Sequence, residues 1–313
     1  MIKELIVDKD PKSPVSEVFR TLRTNIQFMN TNKNLKTLLL TSTVPAEGKS
    51  LVAANLAATF AQANKRVVLI DCDMRKGRQH NIFGTNPRPG LSNYLSGINS
   101  DGEESGSDLA KYIRSTEIEN LYLLPAGNIP PNPSELIASE KMLKLLKELE
   151  EVCDMIILDG TPSLIVTDAI ILSRFVDSTI IVTAQNKTRI DDLNKVKRDI
   201  DNVGGNVAGV VINRIEVNNK KYQDRYYYYG HKSNLPAKTK KTIRYNEENF
   251  NTVKENNKNN YRTTKTTKTT KNTENPKRKV QKEEKTNEED MSRINDILNG
   301  LNTYLDNEKN KMK

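Results

Sequence analysis

The chain has 313 residues, of which 28% are charged and 35% hydrophobic, with 14 Gly, 12 Pro, 2 Cys and no Trp. Those proportions exclude a disulfide-stapled mini-domain, a collagen-like fibre and a membrane bundle. The net charge of +9 is unevenly placed: residues 231–313 hold 20 of the 49 Lys+Arg and 12 of the 40 Asp+Glu, which leaves 29 against 28 for the first 230 residues. The basic excess therefore belongs to the tail, and specific nucleic-acid binding is not expected of it.

No apolar run approaches the roughly 18 residues of a membrane-crossing helix, and residues 1–12 lack the apolar stretch of a secretory signal, so a cytosolic location is expected. Cys72 and Cys153 stand alone in apolar stretches and read as reduced, buried thiols without metal or redox spacing. His80 and His231 have no ligand company and are assigned no role.

In chain order, strand-like apolar runs fall at Thr37 to Ser42, Arg66 to Asp71, Leu121 to Pro125, Asp154 to Asp159, Thr179 to Ala184 and Val207 to Asn213. Helical patterns lie between them at Lys49 to Ala63, Ser134 to Glu151, Asp168 to Phe175 and Arg189 to Val203. This alternation is the signature of βαβ units, and runs such as VVLID and MIILD suit strands covered on both faces. The expected fold is α/β, with a mostly parallel central sheet and helices on both faces. Asn99 to Ser107 reads as a polar surface insertion.

After Gly230 the pattern stops. Low hydrophobicity and high charge cannot offset ordering entropy, so residues 231–285 are expected to be a disordered basic linker. Ile294, Ile297, Leu298, Leu301 and Leu305 recur at helical spacing after a Thr286/Glu289 capping box, which predicts a short amphipathic helix over 286–308. Docking onto the domain or a partner is its expected use.

The strongest chemical signal is TLLLTSTVPAEGKSLVAANLA, Thr37 to Ala57: a strand, a Pro- and Gly-containing turn, then Lys-Ser opening a helix. Free N–H groups and the positive dipole end of a helix N-terminus attract phosphate. Lys49 can reach the terminal phosphates, and Ser50 can offer a hydroxyl to Mg2+. The match to G-x-x-x-x-G-K-[ST] is incomplete, because Thr43 stands at the first Gly position. Asp71 and Asp73 lie at the carboxyl end of one strand and Asp159 at the end of another, where open parallel sheets bind ligands. Each alone is equally well a turn cap. Together with a phosphate loop they point to a Mg2+-nucleotide site.

The runs Val44 to Ser50, Leu69 to Arg75 (L-I-D-x-D-x-R) and Leu158 to Pro162 resemble the three Walker motifs of bacterial tyrosine kinases, which use a MinD/ParA-like P-loop ATPase fold. Glu17, Arg20 and Arg23 fit that family's E-x2-R-x2-R pattern, associated with ring assembly. Tyr222, Tyr226, Tyr227, Tyr228 and Tyr229 resemble its C-terminal tyrosine cluster. The resemblance covers about residues 1–230. It departs at Asp159-Gly160-Thr161-Pro162, where the family commonly has D-T-P-P, and in the long basic tail.

The resemblance implies an ATP- and Mg2+-dependent tyrosine autokinase that controls capsular or extracellular polysaccharide synthesis and export. In this reading residues 1–36 serve oligomerisation, 37–215 form the ATPase/kinase domain and 216–230 carry the phosphoacceptors. Nucleotide contacts fall to Pro45, Glu47, Gly48, Lys49, Ser50 and Leu51, with Asn213 and Arg214 against the base or capping a turn. Ser50, Asp71, Asp73 and Asp159 serve the metal, and Asp71 also orients and deprotonates the incoming tyrosine. The implied partners are a transmembrane activator at the inner face of the cell membrane, further copies of the chain in a ring, and a phosphotyrosine phosphatase.

Two other classes compete. A MinD/ParA-type ATPase switch would phosphorylate nothing, but its signature lysine is replaced here by Val44. A polyanion-binding protein with a regulatory nucleotide site would show steep salt dependence and no tyrosine transfer.

Overall fold

A computed structural model describes residues 5–29, 35–98 and 109–215. The expected surface insertion, the tyrosine cluster, the basic linker and the helix over 286–308 lie outside the described residues. The elements run α1 (Ile6–Lys9), α2 (Pro14–Met29), β1 (Thr37–Ser42), α3 (Lys49–Ala61), β2 (Val67–Asp71), α4 (Gln79–Phe83), α5 (Leu91–Ser96), β3 (Arg114–Ser115), β4 (Leu121–Leu124), α6 (Pro133–Ile137), α7 (Glu140–Val152), β5 (Met155–Pro162), α8 (Asp168–Ser173), β6 (Ser178–Ala184), α9 (Ile190–Asn202) and β7 (Val207–Asn213). The strands form one seven-stranded sheet in the order β3-β4-β2-β5-β1-β6-β7. All pairs are parallel except the short β3 against β4.

Burial follows the two-residue period of a strand on both faces at once. Leu38 and Leu40 of β1, Val67 and Leu69 of β2, and Met155 and Ile157 of β5 enter the core beneath α1, α2 and α3. The intervening Leu39, Val68, Ile70, Ile156 and Leu158 enter the opposite core, with Leu145, Leu146 and Leu149 of α7. Neither face needs polar residues, which is why these strands read as continuous apolar runs. A smaller cluster joins Ile181 of β6 to Val196 and Ile200 of α9.

Helix α3 is buried almost all round, from Val52 to Ala61. Its alanines keep its diameter small enough to lie between the sheet and α2. The segment ahead of β1 adds to this same core, with Leu5, Val7 and Ile26 all buried. Asn55 Oδ1 accepts from Val7 N at 3.2 Å, and Gln62 Nε2 donates to Val7 O at 3.2 Å.

Two expectations need correction. The single helix expected over Ser134 to Glu151 is broken into α6 and α7. Ser139 is the reason: its Oγ accepts from Met142 N at 3.3 Å, capping α7, and donates to Leu136 O at 2.7 Å, closing α6. Strand β5 does not stop at Asp159 but runs on to Pro162, which pairs with Ser42 across a register shift. Thr41 Oγ1 donates to Thr161 O at 2.7 Å and holds this extension to β1.

Because a serine cap contributes about 1 kcal/mol, Ser139→Ala should lower the unfolding free energy by that amount, read as a lower urea midpoint with an unchanged m-value. An unchanged midpoint would show that the α6–α7 break does not depend on the cap.

Candidate active site

The site is assembled by the order of the strands. β1 lies between β5 and β6, whereas β2, next in sequence, lies beyond β5. Adjacent strands β2 and β5 stand in register with Asp71 opposite Asp159. The loop leaving β1 therefore passes the tips of both carboxylate-bearing strands, and α3 begins at Lys49. A cavity of about 410 Å³ opens here, lined among others by Pro45, Gly48, Lys49, Ser50, Leu51 and Asp73. Its size falls within the roughly 300–1,000 Å³ usual for small-molecule sites.

Lys49 is 7% exposed, and its Nζ lies 2.9 Å from Asp159 Oδ1 and 3.6 Å from Asp73 Oδ2. Burial alone would pull the ammonium pKa down, but the Asp159 and Asp73 carboxylates outweigh it and the net shift is upward. Lys49 is therefore held charged. Asp71 and Asp159 are completely buried. Burial, then the neighbouring Asp159 charge, pushes the Asp71 carboxyl up to about 7 against the opposing hydrogen bond from Gln79 N. Asp71 Oδ1 accepts from Asp73 N at 3.3 Å and Oδ2 from Gln79 N at 2.9 Å.

The phosphate loop is braced from outside. Gly48 has φ +94, and a Cβ there would overlap the Asn213 amide, so glycine is required on both counts. Thr43, at the missing glycine position, is fully buried and donates to the Glu47 carboxylate at 2.9 and 3.0 Å. Val44 N and Thr188 Oγ1 donate to the same carboxylate. The Glu47 carboxylate fastens the loop from within, and the residue also lines the cavity.

Asn213 Nδ2 donates to Glu47 O at 2.9 Å, Arg214 Nη2 to Ala46 O at 2.7 Å, and Lys187 Nζ to Pro45 O at 2.6 Å. Arg214 also lines the cavity. Asn213 and Arg214, expected near the base, thus hold the loop's outer carbonyls.

Several participants carry no signal in the sequence. Thr188 and Lys187 lie in an unremarkable polar loop after β6. Arg75, the last residue of the L-I-D-x-D-x-R run, pairs through Nε with Asp168 Oδ2 at 3.0 Å, a partner the motif does not reveal, and Ser134 Oγ donates to Asp168 Oδ1 at 2.5 Å, tying the loop after β2 to α6 and α8. Gln79 joins Asp159 to Ser50, inside a stretch that reads as basic surface.

The expected assembly residues sit on α2 and do not line the cavity. Glu17 pairs with Arg20, whose Nη2 donates to Pro11 O at 2.7 Å. Arg23 Nη1 donates to Thr59 O at 2.9 Å, reaching inward to α3. Both cysteines are buried, and burial raises their pKa, that of Cys153 to about 12, so neither is a reactive thiolate.

Among the described residues, no group of three or more His, Cys, Asp or Glu side chains is arranged to hold a metal unaided. Mg2+ binds through one or two carboxylates together with substrate phosphates and keeps several waters. Ser50 and Asp73 line the cavity, and Asp159 is bonded to Lys49, which also lines it; these are the residues that would hold the cation.

Comparison with known proteins decides the family. The family model described as AAA domain matches residues 46–209. The putative tyrosine-protein kinase CapB of Staphylococcus aureus is 41% identical over 229 residues, covering 73% of this chain and 96% of CapB. The chain belongs to the bacterial protein-tyrosine kinase family. Tyrosine-protein kinase YwqD of Bacillus subtilis is 35% identical over 238 residues, with 76% of this chain and 96% of YwqD covered. Salmonella typhimurium wzc is 37% identical over 225 residues, but the match spans 72% of this chain and only 30% of wzc.

Among solved structures, the chimerical protein CapA2B2 superposes with TM-score 0.62 at 39% identity, covering 68% of this chain and 91% of that one. The kinase domain of Escherichia coli tyrosine kinase ETK does so with TM-score 0.62 at 30% identity, covering 68% and 82%. The kinase chain therefore has the expected P-loop fold. Among its described residues no helix is long and apolar enough to cross a membrane.

A carboxyl whose folded pKa is raised holds its proton in the folded state while the unfolded chain has lost it, so stability falls as pH rises between the two values. For Asp71 that window runs from 3.8 to about 7. Thermal unfolding of the nucleotide-free kinase should show stability declining across it, and Asp71→Asn should flatten the slope. An identical slope in the variant would contradict this assignment.

Proposed function

We propose that this kinase transfers the γ-phosphoryl group of Mg-ATP to tyrosines of its own tail, at Tyr222 and Tyr226 to Tyr229, on a neighbouring copy of the chain. The observation that carries the reading is Lys49 Nζ, buried and charged between Asp159 and Asp73 at the mouth of a braced phosphate loop.

In this reading Lys49 exchanges its carboxylate partners for the β- and γ-phosphates, and Gly48 lets the loop amides approach them. The walls at Pro45 and Leu51 enclose the nucleotide. Ser50, Asp73 and Asp159 would hold Mg2+, with Asp71 directly behind them. The cation supplies charge neutralisation for the transferring phosphoryl group, the dominant need of a loose transition state. Asp71 takes the phenolic proton as the tyrosine oxygen accepts the phosphoryl group, and a carboxyl near 7 is a better base than an ordinary aspartate. Its two oxygens now face the amides of Asp73 and Gln79, so this role requires the loop after β2 to move and admit the tyrosine.

Phosphorylation adds nearly two negative charges per tyrosine. Up to five such groups on one short segment repel one another and the acidic site, so an unphosphorylated tail docks in a ring and a phosphorylated one leaves. We further propose that the kinase works in the cytoplasm at the inner face of the membrane. There it would bind a separate transmembrane activator, be reset by a phosphotyrosine phosphatase and regulate polysaccharide export.

Purified kinase given Mg-ATP and a peptide from the activator should accumulate phosphotyrosine. Lys49→Met, and the variant with the five tail tyrosines changed to Phe, should each lose the signal by at least about 100-fold, as expected on removing a phosphate-binding charge from phosphoryl transfer or the acceptors themselves. ATP hydrolysis without phosphotyrosine would instead favour a MinD/ParA-type switch.

A further inference from the structure

Gln79 sits where the three motif loops meet and belongs to none of them. It opens α4 and is completely buried. Its main-chain N–H donates to Asp71 Oδ2 at 2.9 Å. Its side-chain Nε2 donates to Asp159 Oδ2 at 2.7 Å and to the Ser50 carbonyl at 3.0 Å. Both amide hydrogens are thereby used, while Oε1 is buried with no partner among the described residues. Turning the amide over would set its oxygen against a carboxylate and a carbonyl, both acceptors, so the chemistry of the neighbours fixes the orientation. The unused acceptor is a consequence of the two bonds the nitrogen makes.

Native proteins rarely bury a carbonyl without a donor unless a ligand or water completes it. A cation at Ser50, Asp73 and Asp159 would bring such donors. Mg2+ dehydrates reluctantly, and the waters it keeps offer their hydrogens outward. Groups that hold a metal's ligands and waters from the side govern its affinity almost as strongly as the ligands do.

We propose that Gln79 is a positioning residue for the Mg2+-nucleotide complex. Nε2 fixes the Asp159 carboxylate through Oδ2, so that Oδ1, held by Lys49 Nζ at 2.9 Å in the nucleotide-free site, is open to the cation once Lys49 turns to the phosphates, and Oε1 accepts a hydrogen bond from a water bound to that cation. The inference rests on the nucleotide-site reading above.

The test uses the full chain and measures ADP affinity by calorimetry with excess Mg2+ and with chelator, together with Mn2+ affinity of the ADP-bound kinase by electron paramagnetic resonance. Gln79→Met keeps volume and removes both hydrogen-bonding ends, whereas Gln79→Asn keeps the amide on an arm too short to span Ser50 and Asp159. Both variants should weaken Mn2+ by about 10- to 100-fold, as loss of a supporting group does. The gain in ADP affinity on adding Mg2+ should shrink by a similar factor, with chelated ADP binding unchanged. That ratio is independent of how much of a variant is folded.

Mn2+ affinity at the wild-type level in both variants would overturn the inference. So would chelated and metal-supported ADP binding falling by the same factor, the mark of a purely structural residue. Wild-type kinase binding ADP no more tightly with Mg2+ than without would overturn the nucleotide-site reading and the inference with it.

Discussion

Three buried aspartates, Asp71, Asp73 and Asp159, share a single buried ammonium, that of Lys49. Isolated charges cannot be left in a protein interior without compensation. The kinase meets this constraint in two ways. Lys49 is drawn to Asp159 and Asp73, which keeps it charged in spite of burial, and Asp71 shifts toward the protonated form. The nucleotide-free site is thus short of positive charge, the condition under which a divalent cation binds most favourably. The same constraint explains the precision of the surroundings. A carboxylate that must stay buried needs donors, and here they come from Gln79, Asp73 N and Lys49.

The phosphate loop answers a different requirement. A loop that binds phosphate with main-chain N–H groups must keep those groups free while its other polar groups are satisfied. Thr43 and Thr188 occupy the Glu47 carboxylate, and Lys187, Asn213 and Arg214 take the carbonyls of Pro45, Glu47 and Ala46. Four of those five braces come from the loop after β6 and the end of β7. Arg214 lies eight residues before Tyr222, so the segment leading into the tyrosines starts from a residue bonded to the nucleotide loop.

Much of this was legible in the sequence because it follows from periodicity and strand position. The long parallel strands announce themselves as apolar runs, and Lys49, Ser50, Asp71, Asp73 and Asp159 stand at places that parallel sheets reserve for ligands. What was hidden depends on partners far apart in the chain. Ser139 looks like any helical serine until its hydroxyl caps α7. Glu47 looks like a loop contact until Thr188, 141 residues on, claims its carboxylate. Gln79 has no local pattern at all, since its role exists only once β2, β5 and α3 converge. The short elements α4, α5 and β3 escaped for a related reason: segments of two to six residues carry no periodicity to read.

A structure of the kinase with Mg2+ and ADP would examine the central claim that Lys49 and the three carboxylates are poised for a cation and phosphates. The account requires Lys49 Nζ to leave Asp159 for the β-phosphate while the metal takes its place among Ser50, Asp73 and Asp159. Lys49 still paired with Asp159, and nucleotide bound without metal contact to either carboxylate, would contradict it.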